Sequence, residues 1–444
     1  MKRLLSVVAV LGVLAGACTA GGGTTSSPVE TVNPSGSHTP VTLTVWDYFT
    51  ERELKNLTDV LNRFNAQYPW IDVKIVPGKQ PIDFVRGINS GETFDVGIDS
   101  ESTNVPLYCS TGGMLDLAPF IKADGMDLGS VFPSAALKYT SYQGVQCTFP
   151  LLTDAYGLYY NKDMLDAAGY TEPPKTLSEF TDMAKKLTVF DPDGSIKVAG
   201  FMPLSTFYEN TNLYNGNAWG TQWYTPEGKS AFATDPAWKQ LLQWNKDLVD
   251  FYGYDNLQRF YQQLGGPNSE WSSAQAFEQG KVAMLYDGEW RGTFIRDDEA
   301  KIEFGTAPFP VADDHSDWYG SGQVGGTVVG ISRTSEHPAE AWLLVKFLTT
   351  DTKAVETLAE LLGNVPTTFD SLNDPKLSSD PQFKPFLDIF SNEHSYLLPL
   401  TPAGAAPADL WADFQGKWEA GKVSDLQGGL EQLAAAVDQQ LQLG

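Results

Sequence analysis

Acidic and aromatic side chains are the residues of this sequence whose types and positions could do chemistry. Several of them follow alternating apolar segments, namely Asp47, Tyr48, Asp99, Ser100 and Glu101. An ionised carboxylate accepts strong hydrogen bonds from hydroxyl groups, and aromatic side chains line most small-molecule sites. Two carboxylates on either side of a bond can instead act as acid and base, and Asp287 with Glu289 is the nearest candidate pair.

Metal, nucleotide and serine-nucleophile chemistry have no sequence support. The histidines are scattered and no HExxH or paired CxxC motif occurs, so we expect no metal site. Residues 320–325 fit G-x-G-x-x-G but lead into a predicted strand, which is the wrong context for a dinucleotide. A G-x-S-x-G elbow is also missing from the sequence. We therefore expect no cofactor.

The N-terminus predicts export. Lys2 and Arg3 precede an apolar run over 4–14, and small residues then lead to Cys18. A basic start, a short apolar run and small residues before a cleavage point form a secretory signal. The stretch resembles the lipobox of bacterial lipoproteins, in which the Cys carries lipid and becomes the first mature residue. We expect a signal peptide over 1–17 and lipidation of Cys18; an ordinary signal peptide that contains a Cys is the alternative.

The segment that follows predicts a flexible tether over 18–40. It is rich in Gly, Ser, Thr and Pro and nearly lacks apolar side chains. Such a segment cannot bury enough surface to offset its ordering entropy. The folded part would therefore stand clear of the membrane.

Composition limits the partners. The chain has 30 Lys and Arg against 55 Asp and Glu, a formal net charge of −25. Nucleic acid and anionic lipid surfaces are not expected, because phosphate binding needs a basic surface. About 400 residues after the tether suggest two or more domains. Cys109 and Cys147 remain for the mature fold, and outside the cell they either pair or stay as buried thiols.

Periodicity predicts an α/β fold. Residues 41–46 and 71–76 alternate like strands, and Thr50 with Glu53 forms a T-x-x-E capping box for a helix between them. This β-α-β unit predicts a parallel sheet. Further predictions are strands near 94–98, 282–286 and 328–331, a helix from Pro338, a C-terminal helix over 426–441, and a middle region over 156–279 of helices and loops rich in aromatics.

The order of these segments resembles the extracytoplasmic solute-binding proteins of ABC transporters, in the branch that includes maltose-binding protein. The resemblance covers about residues 41–440. Its most specific motif is the Tyr-Asn-Lys-Asp run over 160–163, which an apolar residue follows. Supporting stretches are VTLTVWDYFT over 41–50, GETFDV over 91–96, GMLDL over 113–117, PLLTD over 150–154, FEQGKVAM over 277–284, DGEW over 287–290, Gly325-Gly326 and Ala341-Trp342.

The resemblance implies a two-lobed periplasmic-binding-protein fold of type II, with ligand between lobes that close about a hinge. The N-terminal lobe would take 41–153 plus 328–363, and the C-terminal lobe 154–327 plus 364–444. Both Cys109 and Cys147 then fall in one lobe, which supports their pairing. The implied function is a substrate-binding lipoprotein of an ABC importer. It would capture a carbohydrate, expected to be an oligosaccharide, and deliver it to the permease. We expect a monomer on the outer face of the membrane.

The resemblance also implies ligand contacts. It matches Asp154 to a sugar-contacting carboxylate, and Trp290 and Trp411 to aromatics that stack on sugar. The full candidate set is Asp47, Tyr48, Asp99, Ser100, Glu101, Asp154, Trp219, Trp223, Trp271, Asp287, Trp290, Gly325, Gly326 and Trp411. Each has a structural alternative: a cap or turn for the acids, a core position for the tryptophans, and simple backbone freedom for the glycines.

The rival interpretation is a secreted glycoside hydrolase that uses paired carboxylates. No eightfold β-α alternation occurs, as a barrel would need. The carboxylates are too numerous for their number to single out a pair. We therefore expect a binding protein rather than an enzyme. The type of sugar, its length and linkage, and a polyol or other solute as ligand all stay open.

Overall fold

The computed structural model describes residues 29–213 and 216–443. The predicted signal peptide over 1–17, Cys18 and the tether over 18–28 lie outside the described residues. Residues 29–40 of the predicted tether lie against the fold: Val29 and Val32 pack on an apolar core, and the His38 ring stacks 3.7 Å from that of Trp70. This end of the tether is therefore not a free spacer.

The strands within the described residues form one ten-stranded sheet and a separate hairpin. They are β1 Val41–Asp47, β2 Ile71–Val76, β3 Val96–Asp99, β4 Ser141–Tyr142, β5 Val145–Gln146, β6 Phe149–Asn161, β7 Val189–Phe190, β8 Ile196–Phe201, β9 Val282–Gly288, β10 Phe304–Ala307, β11 Gln323–Ile331 and β12 Tyr396–Leu397. The order in the large sheet is β2-β1-β3-β11-β6-β9-β8-β7, with β10 added to β6 and β12 to β11. The hairpin pairs β4 with β5.

Helices cover both sides of this sheet. They are α1 Glu51–Gln67, α2 Pro81–Ser90, α3 Val105–Ser110, α4 Ala118–Ala123, α5 Leu128–Val131, α6 Ser134–Leu137, α7 Lys162–Ala167, α8 Leu177–Leu187, α9 Asn210–Leu213, α10 Pro236–Tyr252, α11 Tyr254–Gln263, α12 Arg291–Asp297, α13 Pro338–Thr350, α14 Thr352–Leu362, α15 Phe369–Leu372, α16 Pro375–Ser379, α17 Lys384–Ser391, α18 Ala406–Glu419 and α19 Leu426–Leu443. Short 3-10 turns lie at Ser102–Asn104, Asn217–Trp219, Gly266–Ser269 and Asp313–Trp318.

Apolar periodicity explains the main elements. In β1, Leu43 and Val45 are buried on alternate positions, and β2 and β3 pair with β1 in parallel, as the β-α-β pattern predicts. All seven residues of β9 are buried, as expected of a strand covered on both faces. Helix α1 begins after Thr50 as predicted, but the Thr50 side chain makes no capping bond, so the capping box is wrong in that detail.

Two long strands carry the chain between the lobes. The first half of β6 pairs antiparallel with β11, whereas its second half pairs with β9 and β10. A third crossing lies near Val365, whose backbone exchanges hydrogen bonds with that of Thr153. The predicted lobe boundaries at 153/154, 327/328 and 363/364 fall on these three crossings, and they remain predictions.

The two remaining cysteines are joined. Cys109 and Cys147 form a disulfide with a sulfur–sulfur distance of 2.07 Å. Both side chains are buried in the same core cluster as β3's neighbours Phe94 and Met114. The alternative of two free thiols does not describe this structure.

Candidate functional site

Asp154 lies at the centre of the candidate site. It is on β6 where that strand crosses between the lobes, and its side chain is half-buried. Its Oδ1 accepts a hydrogen bond of 3.0 Å from Asn364 Nδ2. Burial raises the pKa of Asp154 to about 7, and the nearby charges of Glu101 and Glu53 act in the same direction. The hydrogen bond from Asn364 acts in the opposite direction and lowers the pKa. The structure therefore gathers negative charge here.

The first lobe supplies polar groups to this point. The Tyr48 hydroxyl lies 2.9 Å from Thr327 Oγ1, and burial with the charges of Glu53 and Asp154 raises the pKa of that phenol. Glu101 is half-buried, and its Oε1 accepts bonds from Thr103 N at 3.1 Å and from Thr103 Oγ1 at 2.6 Å. Tyr48 and Glu101 are thus brought close to Asp154, and their contact with ligand stays a prediction.

Gly325 opens space beside Asp154, whereas Gly326 does not. Gly325 is opposite Asp154 in the antiparallel ladder, so the two residues share one face of the sheet. A Cβ at Gly325 would meet nothing within 4 Å. A Cβ at Gly326 would lie 2.5 Å from both the Leu152 carbonyl oxygen and the Tyr139 hydroxyl, so that glycine serves packing.

Aromatic side chains of the second lobe border the same space. We call Tyr156, Tyr208, Trp271 and Trp290 the aromatic group. Trp290 Nε1 donates to the Tyr208 hydroxyl at 3.1 Å, and its ring meets Tyr156 edge-on at 5.4 Å. Trp271 is 53% exposed and packs 4.8 Å from the Tyr208 ring. Tyr156 follows Asp154 by two residues on β6, and the charges of Glu209 and Asp154 both act on it.

Asp287 does not reach this space in the structure, and its contact with ligand stays a prediction. It is fully buried, with Oδ2 2.7 Å from Arg291 Nε and Oδ1 accepting from Gly288 N at 2.7 Å. Arg291 also pairs with Glu278 at 3.0 Å. Burial raises the pKa of Asp287 to about 6, although the Arg291 charge opposes that rise. The carboxylate neutralises a buried guanidinium beneath the aromatic group.

Two other predicted acids are also inside the first lobe. Asp99 is buried and accepts bonds from the Tyr108 hydroxyl, from Asn104 Nδ2 at 3.2 Å and from Glu101 N at 3.1 Å. It therefore organises the turn after β3, on which Ser100 is half-buried. Asp47 is fully buried, and the backbone N–H groups of Phe49 and Tyr48 lie beside its carboxylate. Burial raises the pKa of each of these two acids to about 7.

Three tryptophans of the candidate set lie in the core, and their contact with ligand stays a prediction. Trp219, Trp223 and Trp411 are only 4%, 3% and 1% exposed. Trp411 packs 4.4 Å from Trp238 and 5.2 Å from Phe232, where α10 meets α18. Large aromatic rings contribute most of the apolar surface available to a core, and this lobe uses them for that purpose.

Several residues of the site escaped the sequence analysis as ligand or supporting groups: Glu53, Tyr156, Tyr208, Glu289 and Asn364. Glu53 was assigned only to a helix cap, and Glu289 only to an acid pair. Asn364 follows a predicted lobe boundary, and that position at the hinge is the signal that could have identified it. No three His, Cys, Asp or Glu side chains of the described residues are placed to hold a metal ion.

Comparison with known proteins identifies the family. The family described as "Bacterial extracellular solute-binding protein" matches residues 49–355. The chain belongs to that family. Its members bind solutes rather than transform them, so the glycoside-hydrolase alternative has no support. In the part of the chain that the structure describes, no helix combines the length and apolarity needed to cross a membrane.

Individual relatives are distant in sequence but close in fold. The maltotriose-binding protein of Pyrococcus abyssi is 22% identical over 84% of this chain and 75% of its own length. The sn-glycerol-3-phosphate-binding periplasmic protein UgpB of Brucella abortus is 25% identical over 61% of this chain, which spans 62% of that relative. The solved structure of CpMnBP1 with mannotriose superposes with a TM-score of 0.79 at 23% identity, covering 89% of this chain and 99% of that one. The predicted two-lobed α/β fold is confirmed.

Proposed function

We propose that this protein is the substrate-binding lipoprotein of an ABC importer and that it captures an oligosaccharide. The observation that carries the proposal is the position of Asp154 at the crossing between lobes, two residues before Tyr156 of the aromatic group. Carboxylates accept from sugar hydroxyls, and the exposed ring of Trp271 offers a flat face for a sugar's C–H surface. Relatives named for maltotriose and mannotriose support this ligand class.

The charges around Asp154 favour an uncharged ligand over a phosphorylated one. Glu53 and Glu101 add negative potential at Asp154. Two arginines of the described residues that border the aromatic side chains already have acidic partners: Arg52 Nη1 is 2.7 Å from Asp297, and Arg291 pairs with buried carboxylates. A phosphate that recruited either of them would have to displace its carboxylate, because a phosphate needs cationic partners of its own.

Closure of the two lobes would complete the site. The Arg52–Asp297 pair already joins α1 of the first lobe to α12 of the second, with the Arg52 guanidinium 4.2 Å from the Phe294 ring centre. Bending at β6, β11 and the crossing near Val365 would move the aromatic group against Glu101 and Tyr48. The closed form would then dock on the permease subunits.

Attachment to the membrane is part of the proposal. Lipid on Cys18 would hold the protein on the outer face of the membrane, and the rest of the chain would act as a monomer. Replacing Cys18 by Ala should move the protein from the membrane fraction to the medium. Retention in the membrane fraction would refute the lipid anchor.

Calorimetry with the soluble form that begins at Thr19 tests the ligand class. Malto-, manno-, xylo-, chito- and galacto-oligosaccharides form the panel, and chromatography of the recovered sugar checks that it stays intact. We expect micromolar or tighter binding of one series. Asp154→Asn should weaken it, and Asp250→Asn, on an exposed helix face, is the matched control. Consumption of the sugar would indicate an enzyme, and no binding across the panel would refute the carbohydrate assignment.

A further inference from the structure

Glu289 is a buried carboxylate that joins the second lobe to two of the three crossings. It follows β9 and is 2% exposed. Its Oε2 accepts from Ala155 N on β6 at 2.8 Å. Its Oε1 accepts from Val365 N at 3.2 Å and from Asn364 Nδ2 at 3.1 Å. All three donors therefore belong to crossing segments.

Asn364 connects this buried acid to Asp154. Its Nδ2 donates both to Glu289 Oε1 and to Asp154 Oδ1, at 3.1 and 3.0 Å. A side-chain amide has two N–H donors, so one can serve each carboxylate. The residue before it, Gly363, has φ +82°, and a Cβ there would lie 2.3 Å from Thr293 Oγ1. The crossing is thus pressed against the start of α12, which holds Asn364 in place.

We propose that Asn364 and Glu289 are positioning residues that orient the Asp154 carboxylate and tie it to the hinge. The proposal rests on the proposed function, because it assigns Asp154 to ligand. In this arrangement, a change of lobe angle at β6 or near Val365 is transmitted to Asp154 through two hydrogen bonds. Conversely, a ligand hydroxyl bound by Asp154 would favour the lobe angle that keeps both bonds.

The effect of the Asn364 hydrogen bond can be measured as a change in the pKa of Asp154, because the surrounding groups raise that pKa. The groups that act on Asp154 or respond to it come from six elements: Tyr48 after β1, Glu53 on α1, Glu101 after β3, Tyr139 before β4, Tyr156 on β6 and Glu289 after β9. None of these described groups is a cation. Asn364 is therefore the neighbour whose hydrogen bond lowers the pKa of Asp154 against burial and the surrounding acids.

Asn364→Leu keeps a similar volume and removes both donors. In ligand-free protein, the carboxyl ¹³C signal of Asp154, assigned by its loss in Asp154→Asn, should titrate near pH 7 in the wild type and at higher pH in Asn364→Leu. With mannotriose and maltotriose as probes, affinity at pH 7 should fall roughly tenfold, as expected for one lost charge-assisted bond. It should partly recover at pH 9, where Asp154 is ionised again. The loss should disappear in the Asp154→Asn background.

Glu289→Gln gives a second test with a matched control. Glutamine has one acceptor oxygen, so either Ala155 N or the Val365–Asn364 donors lose their partner. Glu419 is also 2% exposed and accepts from a backbone amide, Ser205 N, at 3.0 Å, but it lies at the end of α18. Glu419→Gln should lower thermal stability like Glu289→Gln and leave affinity unchanged.

Two results would overturn the inference: an unmoved Asp154 titration in Asn364→Leu, or equal loss of affinity in Glu289→Gln and Glu419→Gln. If neither probe binds the wild type, the proposed ligand class loses its support, and the ligand-free titration still decides whether Asn364 positions Asp154.

Discussion

Replacing Asp287 by Asn should damage stability and spare binding. The carboxylate accepts from Arg291 Nε and Gly288 N, both at 2.7 Å, and its side chain is fully buried. An amide offers one acceptor oxygen for these two donors and removes one of the two charges that offset Arg291. Breaking a buried pair costs about 3–5 kcal/mol. Because Glu278 still pairs with Arg291, we expect the lower end, ~3 kcal/mol.

Differential scanning calorimetry and calorimetric titration separate the two effects. A loss of ~3 kcal/mol should lower the Tm of a lobe of this size by roughly 6–12 °C. Affinity measured at 20 °C should stay within about threefold of wild type, since the ion pair lies behind the aromatic group. The control is Asp250→Asn, which breaks an exposed helical pair with Lys246 and should cost about 0.5 kcal/mol or less. A tenfold loss of affinity with an unchanged Tm would show that Asp287 contacts ligand after all.

Three further results are expected. Trp290→Ala should weaken sugar binding at least about tenfold at a temperature where the variant is folded, because it removes a member of the aromatic group; unchanged calorimetric affinity would remove Trp290 from the site. Gly325→Val should lower affinity and leave Tm nearly unchanged, because a side chain there enters the open space beside Asp154. Gly326→Ala should lower Tm, because its Cβ would meet the Leu152 carbonyl oxygen. The reverse pattern would contradict the placement of the open space beside Gly325. Burial raises the pKa of Asp47 and Asp99 to about 7, above their unfolded values, so the folded state binds more protons and the Tm should rise as pH falls from 8 to 5; a Tm that falls over that range would refute this sign.

Local periodicity was enough to predict five strands of the sheet and the helices α1, α13 and α19. Alternation over 41–46, the helical stripe that follows and the second strand together determine β1, α1 and β2, because each pattern matches one backbone period. The strand β6 was not predicted, and neither were β8 and β10. Strand β6 continues as one strand through both lobes because different partners, β11 and then β9, pair with its two halves. The pairing of β6 with these distant strands cannot be predicted from the pattern of neighbouring residues.

The tryptophans show where residue type fails as a guide to the site. Trp271 and Trp411 are the same residue type, yet one is 53% exposed and the other 1% exposed. Trp411 is on α18, whose inner face packs on α10 against the rings of Trp238 and Phe232. Trp271 follows a short 3-10 turn on a loop, where no second layer covers it. Which of them meets ligand depends on that covering layer, and the sequence around each Trp does not specify it.

The acids follow a rule that the sequence does contain. Asp287 has Arg291 four residues later, and Asp99 has Asn104 and Tyr108 five and nine residues later, so each finds its partner within the adjoining turn or helix. Asp154 has no such partner nearby, and its hydrogen bond comes from Asn364, 210 residues away. Asp99 and Asp287 therefore hold the turn or helix that follows them. Asp154 has no local donor and stays available where β6 crosses between the lobes. One of its carboxylate oxygens can accept from Asn364 at the hinge, and the other from a ligand hydroxyl.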